Sequence, residues 1–173
     1  MIIKNATQVG NPIIRRRSRA VIHVASPAAR RIVRNLIDSM RHHGLVGMAA
    51  PQIGINKRIF VTEIRKTKTR KQNELDPVRI FINPQITNRS QKQDAGYEGC
   101  GSVANAGLFG KVNRSYSVTV VAFDERGKRF KIRATDFLAR IIQHENDHLD
   151  GKIFLDRMTD MGSIMSREEY LRW

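Results

Sequence analysis

Residues 135–151 read TDFLARIIQHENDHLDG, and the run His144-Glu145-Asn146-Asp147-His148 lies inside an apolar pattern of helical period. Phe137, Leu138, Ile141, Ile142 and Leu149 recur at that spacing, Thr135-Asp136 supplies a start and Gly151 a stop. This segment is therefore predicted to be a helix. Residues four apart on a helix share a face, so His144 and His148 stand about one turn from each other. Two imidazoles so spaced can reach one metal ion, with Glu145 close enough to handle the proton of a bound water. The plainer reading is a wet helix face with two unlinked histidines.

A catalytic site of this kind needs a third protein ligand and one open position. The candidates are Cys100 upstream and Glu168 or Glu169 downstream. Glu168 follows His148 by 20 residues, a spacing resembling that of thermolysin-like peptidases, which makes a zinc endopeptidase a serious alternative. Against it, Arg172 stands where those enzymes place an aspartate. Cys100 lies in Glu98-Gly99-Cys100-Gly101-Ser102, where flanking glycines let backbone approach an ion closely. It is the only cysteine, so no internal disulfide can form, and a free cysteine is commonly just a small buried hydrophobe. Spacing alone leaves the third ligand open.

The 173 residues show no internal repeat or long linker, and one domain spanning 1–173 is expected. Ser26-Pro27 can cap and open a helix. Ile32, Val33, Leu36, Ile37 and Met40 continue it to a stop at Gly44. Residues 48–54, with Pro51 and Gly54, read as a loop or tight turn. Segments 58–64 and 79–86 read as strands, and the polar stretch 65–76 between them as a mobile surface loop. Segments 116–123 and 129–133 form a predicted hairpin through the turn Asp124-Glu125-Arg126-Gly127-Lys128. Strands in the middle with a helix at each side predict an α+β fold. Its sheet should be largely antiparallel, with an N-terminal helix and a central helix carrying the H-E-x-x-H motif.

Lys and Arg number 31 against 16 Asp and Glu, a net charge of +15. A field of that sign draws a protein towards polyanions: RNA, the ribosome or an anionic membrane surface. A basic RNA- or ribosome-binding module with a structural histidine pair is thus a second alternative, and a surface tuned for solubility is the plain one. Aromatics are 6% of residues and are not interleaved with basic ones as a base-stacking platform requires. No stretch approaches the ~20 apolar residues of a membrane-spanning helix. The N-terminus lacks the apolar segment of a secretory signal. A cytoplasmic protein is expected, with an organellar location left open by the basic, acid-free N-terminus.

Three separated segments together resemble the peptide deformylase family. HENDHLDG at 144–151 is similar to its H-E-x-D-H-L-x-G segment, EGCGS at 98–102 to E-G-C-L-S, and LVGMAAPQIG at 45–54 to G-x-G-x-A-A-x-Q. TQVGNPIIRRRSRAV also resembles the family's N-terminal strand, so the likeness runs over about residues 7–158. The resemblance implies hydrolysis of the formyl group from the initiator formyl-methionine of nascent polypeptides, with release of formate. It implies one divalent ion held by Cys100, His144 and His148: Fe2+, with Zn2+, Ni2+ or Co2+ as substitutes. Glu145 would act as general base and acid, and Gln52 and the Gly101 backbone N–H as donors to the oxyanion. Val46, Phe137 and Ile141 would line a methionine pocket, and Gly47 would touch substrate through its backbone. Asp147 is expected to brace the helix, with Arg114 as a candidate partner. A monomer is expected, with ribosome association through the basic surface.

Two residues depart from the family pattern. Leu45 replaces the first glycine of its segment, although Gly44 sits one place earlier, and Gly101 replaces the leucine after the cysteine. Glycine keeps the N–H at position 101 but adds freedom, so the donor should be less firmly aimed.

Overall fold

The computed structural model describes residues 2–66 and 75–172. Most of the polar stretch expected as a mobile loop, and much of the basic cluster at 65–71, falls at 67–74, outside the described residues.

A short helix α1 (Pro12–Arg15) precedes the long helix α2 (Pro27–His42). The Ser26 side chain caps α2 by accepting from the Ala29 N–H at 3.2 Å, and Pro27 occupies its first turn. Then come β1 (Gly47–Ala49), a 3-10 turn (Ala50–Ile53), β2 (Ile59–Ile64), β3 (Asp76–Arg89), β4 (Gln93–Gly99) and β5 (Leu108–Ser115). β6 (Ser117–Phe123), β7 (Arg129–Thr135), α3 (Asp136–Leu149), β8 (Met165–Ser166) and α4 (Arg167–Tyr170) complete the order. Strands pair antiparallel in a five-stranded sheet, β1-β2-β3-β6-β7, and a three-stranded one, β4-β5-β8. The α+β architecture is the expected one.

Both faces of the larger sheet are covered. β2 alternates accordingly: Ile59 and Val61 join Val33, Leu36 and Met40 of α2, while Phe60 joins Phe81, Val120, Ile142 and Leu149 on the α3 side. The smaller sheet has its own cluster, with Ile14, Val112, Ile153 and Phe154 packed beside Cys100. Helix α3 lies between the two sheets. Its apolar side meets the larger one, and its polar side, Arg140, Gln143, His144 and Asp147, bonds to residues of β4 and β5.

Two expectations need correction, and two strands were not foreseen. Of residues 48–54, expected as a loop or tight turn, residues 50–53 do form a 3-10 turn ended by Gly54, but Met48 and Ala49 are strand and pair with Val61 and Phe60 in β1–β2. The segment likened to an N-terminal strand contains α1, because Asn11 accepts from the Ile13 N–H and Pro12 fits a first helical position. Strands β4 and β5 had no apolar alternation to betray them: the inward residues of β5 include Gly110, Val112 and Arg114. Their pairing with each other and their polar bonds to α3 hold them instead.

Candidate metal centre and active site

Strand β4 ends at Gly99, and the next residue carries its sulfur towards α3. The Cys100 Sγ lies 3.2 Å from His148 Nε2, and one ligand atom from each of Cys100, His144 and His148 falls within 4.8 Å of the other two. Metal–donor lengths of about 2.0–2.3 Å in a tetrahedron put such atoms about 3.4–3.6 Å apart, so around an ion the Cys100–His148 pair would part slightly and any wider pair would draw in. Cys100 is both a member of the apolar cluster and part of this trio. The two readings of the lone cysteine are compatible.

The donor set fits a thiolate-favouring divalent cation. Burial alone would push the Cys100 thiol up, yet the neighbouring His148 and His144 imidazoles bring it well below its ordinary value. Burial would lower His144, but bonds to Cys100 and Glu98 hold it well above the usual histidine range. A site that favours negative sulfur with positive charge beside it suits a metal ion.

His144 is aimed by Glu98 of β4, whose Oε2 lies 2.8 Å from Nδ1. An ionised carboxylate can only accept, so Nδ1 carries the hydrogen and Nε2 is left as the ligand atom. Glu98 is itself fixed by Arg114 Nε and Nη2, each at 2.9 Å, and by Arg140 Nη1 at 3.0 Å. Burial works against its charge, but His144 and Arg114 outweigh that and hold it well below the usual carboxylate range. Arg114 also donates to Asp147 at 2.5 Å, and Arg157 reaches the same carboxylate. The Arg114–Asp147 partnership is thus present, and it braces α3 against β5. The sequence reading missed Glu98 as the orienting group. Its only signal was adjacency to the cysteine motif.

Glu145 is buried on the same helix turn, with Oε2 unpartnered among the described residues. Burial pushes its pKa up to about 7, against the opposing pull of His144 and His148. Gly47 of β1 makes room for it: a Cβ there would come within 2.8 Å of Glu145 Cγ and Cδ. Any side chain at 47 would displace the carboxylate.

Gln52, in the 3-10 turn, accepts from the Ala49 N–H through Oε1 at 2.7 Å. Because that partner can only donate, the amide nitrogen must face the other way, and Nε2 points at Cys100 Sγ, 3.7 Å off. Gly101 is buried, and its carbonyl accepts from Gln8 Nε2 at 2.8 Å.

A cavity of about 230 Å³ opens beside these groups. Val46, Gly47, Gln52, Cys100, Gly101, Phe137, Ile141, His144 and Glu145 all line it. Tyr97, Phe109, Arg140, Arg167, Tyr170 and Leu171 line it too and were not foreseen; for Arg167 and Tyr170 the four-residue α4 has no periodicity to read. Tyr170 stacks on Phe109 with centroids 4.2 Å apart, which fastens α4 to β5. Glu168 is exposed on α4 and is not among the three converging donors, and Glu169 pairs with Arg172. The endopeptidase alternative therefore loses its third ligand.

The polypeptide deformylase family model matches residues 3–163. A peptide deformylase of Desulforudis audaxviator is 38% identical over 169 residues, covering 98% of this chain and all of the relative. That of Treponema pallidum (strain Nichols) is 42% identical over 131 residues, 76% of this chain and 74% of the relative. Among solved structures, a class I type b peptide deformylase from Acinetobacter baumannii superposes with a TM-score of 0.86 at 27% identity, covering 92% of this chain and all of that one.

Proposed function

The chain belongs to the peptide deformylase family and so removes the formyl group from nascent peptides in a metal-dependent hydrolysis; on that premise we propose how its residues divide the work. Cys100, His144 and His148 hold the ion. One sulfur and two nitrogens favour a first-row transition metal over magnesium, and the ion we assign is Fe2+, with Zn2+, Ni2+ or Co2+ able to replace it. When bound, such a cation lowers the pKa of a coordinated water towards neutrality and so supplies a nucleophile at neutral pH.

Glu145 accepts the proton of the attacking water and later delivers it to the departing amine. Burial raises this carboxyl above the usual carboxylate range, which suits it to both transfers. Gln52 Nε2 and the Gly101 N–H donate to the formyl oxygen as negative charge builds on it. Val46, Phe137 and Ile141 receive the methionine side chain in the cavity, and the Gly47 backbone borders it. The observation that carries this reading is the convergence of three ligand atoms beside a buried Glu145, its Oε2 without a partner among the described residues, at a cavity wall.

We also assign the whole chain to one catalytic domain, acting as a monomer in the cytoplasm and close to ribosomes. Arg129, Lys131 and Arg133 form an exposed basic row on the edge strand β7, and the net charge is +15. Ribosome binding should weaken steeply as salt rises, and affinity that ignores salt would refute it.

The test of the activity is formate release from a formyl-methionyl peptide. It should be abolished by a strong chelator and restored by Fe2+ or Zn2+. Undiminished release in chelator, with the metal shown to be gone, would overturn the assignment.

A further inference from the structure

Gly101 is the one proposed oxyanion donor whose residue has no side chain to anchor it. Its φ is not left-handed, so the backbone itself would accept a side chain there. Space is what resists one, since Leu45 would have to give by a few tenths of an ångström. A Cβ at 101 would stand 3.1 Å from Leu45 Cδ1 and 3.5 Å from Ala6 Cβ, so a leucine methyl already covers that face of the residue.

Leu45 is well placed to act as a fixed wall. Its N–H donates to the Met40 carbonyl at 2.9 Å, its own carbonyl accepts from Arg65 Nη1 at 3.0 Å, and its side chain packs on the α2 cluster. On the carbonyl side of Gly101, Gln8 Nε2 supplies the opposing hold at 2.8 Å. The residue is thus clamped between a hydrogen bond and a methyl group. Leu45 and Gly101 are also the two departures from the deformylase pattern noted in the sequence. They meet in space, and a large group has in effect moved from one position to the other.

We propose that Leu45 is a positioning residue: its side chain substitutes for the one missing at 101 and keeps the Gly101 N–H aimed at the formyl oxygen. This rests on the assignment of Gly101 to that oxygen. Cβ contacts near 3.1 Å are tighter than ordinary packing, so a leucine at 101 and a leucine at 45 compete for one space.

A double-mutant cycle tests it, using metal-matched Leu45→Gly, Gly101→Leu and the double variant on a formyl-methionyl peptide. Full loss of an oxyanion donor costs about a hundredfold or more in kcat, so loosening or misaiming it should cost about tenfold in each single variant. KM should stay within about twofold, and the double variant should recover to within about threefold of the unsubstituted protein. If Leu45→Gly folds poorly, Leu45→Met should keep kcat and Leu45→Ala should lose about threefold, again without a matching change in KM. Losses that multiply in the double variant, or that appear in KM or melting temperature with kcat intact, would overturn the inference. No formate release by the unsubstituted protein would overturn both readings, whereas normal release with multiplicative losses would overturn this one alone.

Discussion

Replacing Glu98 tests whether the site is held from behind. Its carboxylate is 4% exposed and receives four bonds: two from Arg114, one from Arg140 and one from His144 Nδ1. In Glu98→Leu the two arginines stay buried, each with one remaining carboxylate, Asp147 for Arg114 and Asp94 for Arg140. Breaking a buried pair from one side typically costs about 3–5 kcal/mol, and the surviving partners place this case near the lower end. At about 2–4 °C per kcal/mol for a chain of this size, the metal-free protein should melt roughly 6–15 °C lower. His144 would also lose its orienting bond, so affinity for the ion should fall about 10–100-fold. Glu98→Gln keeps the shape but must turn its amide nitrogen towards a cation or an N–H donor, and should fall between the two. Circular-dichroism melting and a competitive chelator titration measure both effects. A shift under about 3 °C with unchanged metal affinity would show that Glu98 does not hold the site together.

Gln52→Leu should lower kcat about a hundredfold or more while leaving metal content unchanged, and a near-normal kcat would remove Gln52 from the mechanism. Glu145→Gln should cost about 10²–10⁴ in kcat with the ion still bound, measured by formate release alongside metal analysis. The metal-free Glu145 carboxyl is pushed up to about 7 by burial, and a cation beside it favours the ionised form. The acid limb of kcat/KM in the loaded enzyme should therefore lie below pH 7, and a limb above 7 would contradict the placement. The folded pKa of Asp147 is lowered: burial opposes its charge, but Arg157 and Arg114 outweigh it. Its stabilisation should therefore be complete above the unfolded value of about 4 and lost as pH falls through the folded one. An Asp147→Asn variant should show a shallower loss of stability in acid, and an identical acid profile would refute this.

The parts of the molecule legible in sequence were those with a strong local period or a short chemical motif. α2 announced itself by Ser26-Pro27 and an apolar stripe, and α3 by its stripe and the paired histidines. The β6–β7 hairpin followed from alternation around Asp124–Lys128, where Asp124 Oδ1 accepts from the Arg126 and Lys128 N–H groups. β4 and β5 were silent because bonds between the strands and α3, from Arg114 of β5 and from Arg140 and Gln143 of the helix, help hold them, long-range contacts that leave no apolar period. The role of Glu98 was hidden for the same reason. Its partners lie 16 to 46 residues away in sequence, and only the fold brings them together. Spacing could not choose Cys100 over Glu168; the likeness of residues 98–102 to the family's segment made that choice, and the 3.2 Å between the sulfur and His148 agrees with it. The rim from α4 depends on the stacking of Tyr170 upon Phe109, which no local pattern encodes.

X-ray absorption at the metal edge of the zinc-loaded protein tests the central claim most directly. The spectrum should show one sulfur at about 2.3 Å and two imidazole nitrogens at about 2.0–2.1 Å, with the sulfur lost in Cys100→Ser. A shell of nitrogen and oxygen only, or a sulfur that survives that substitution, would contradict the site.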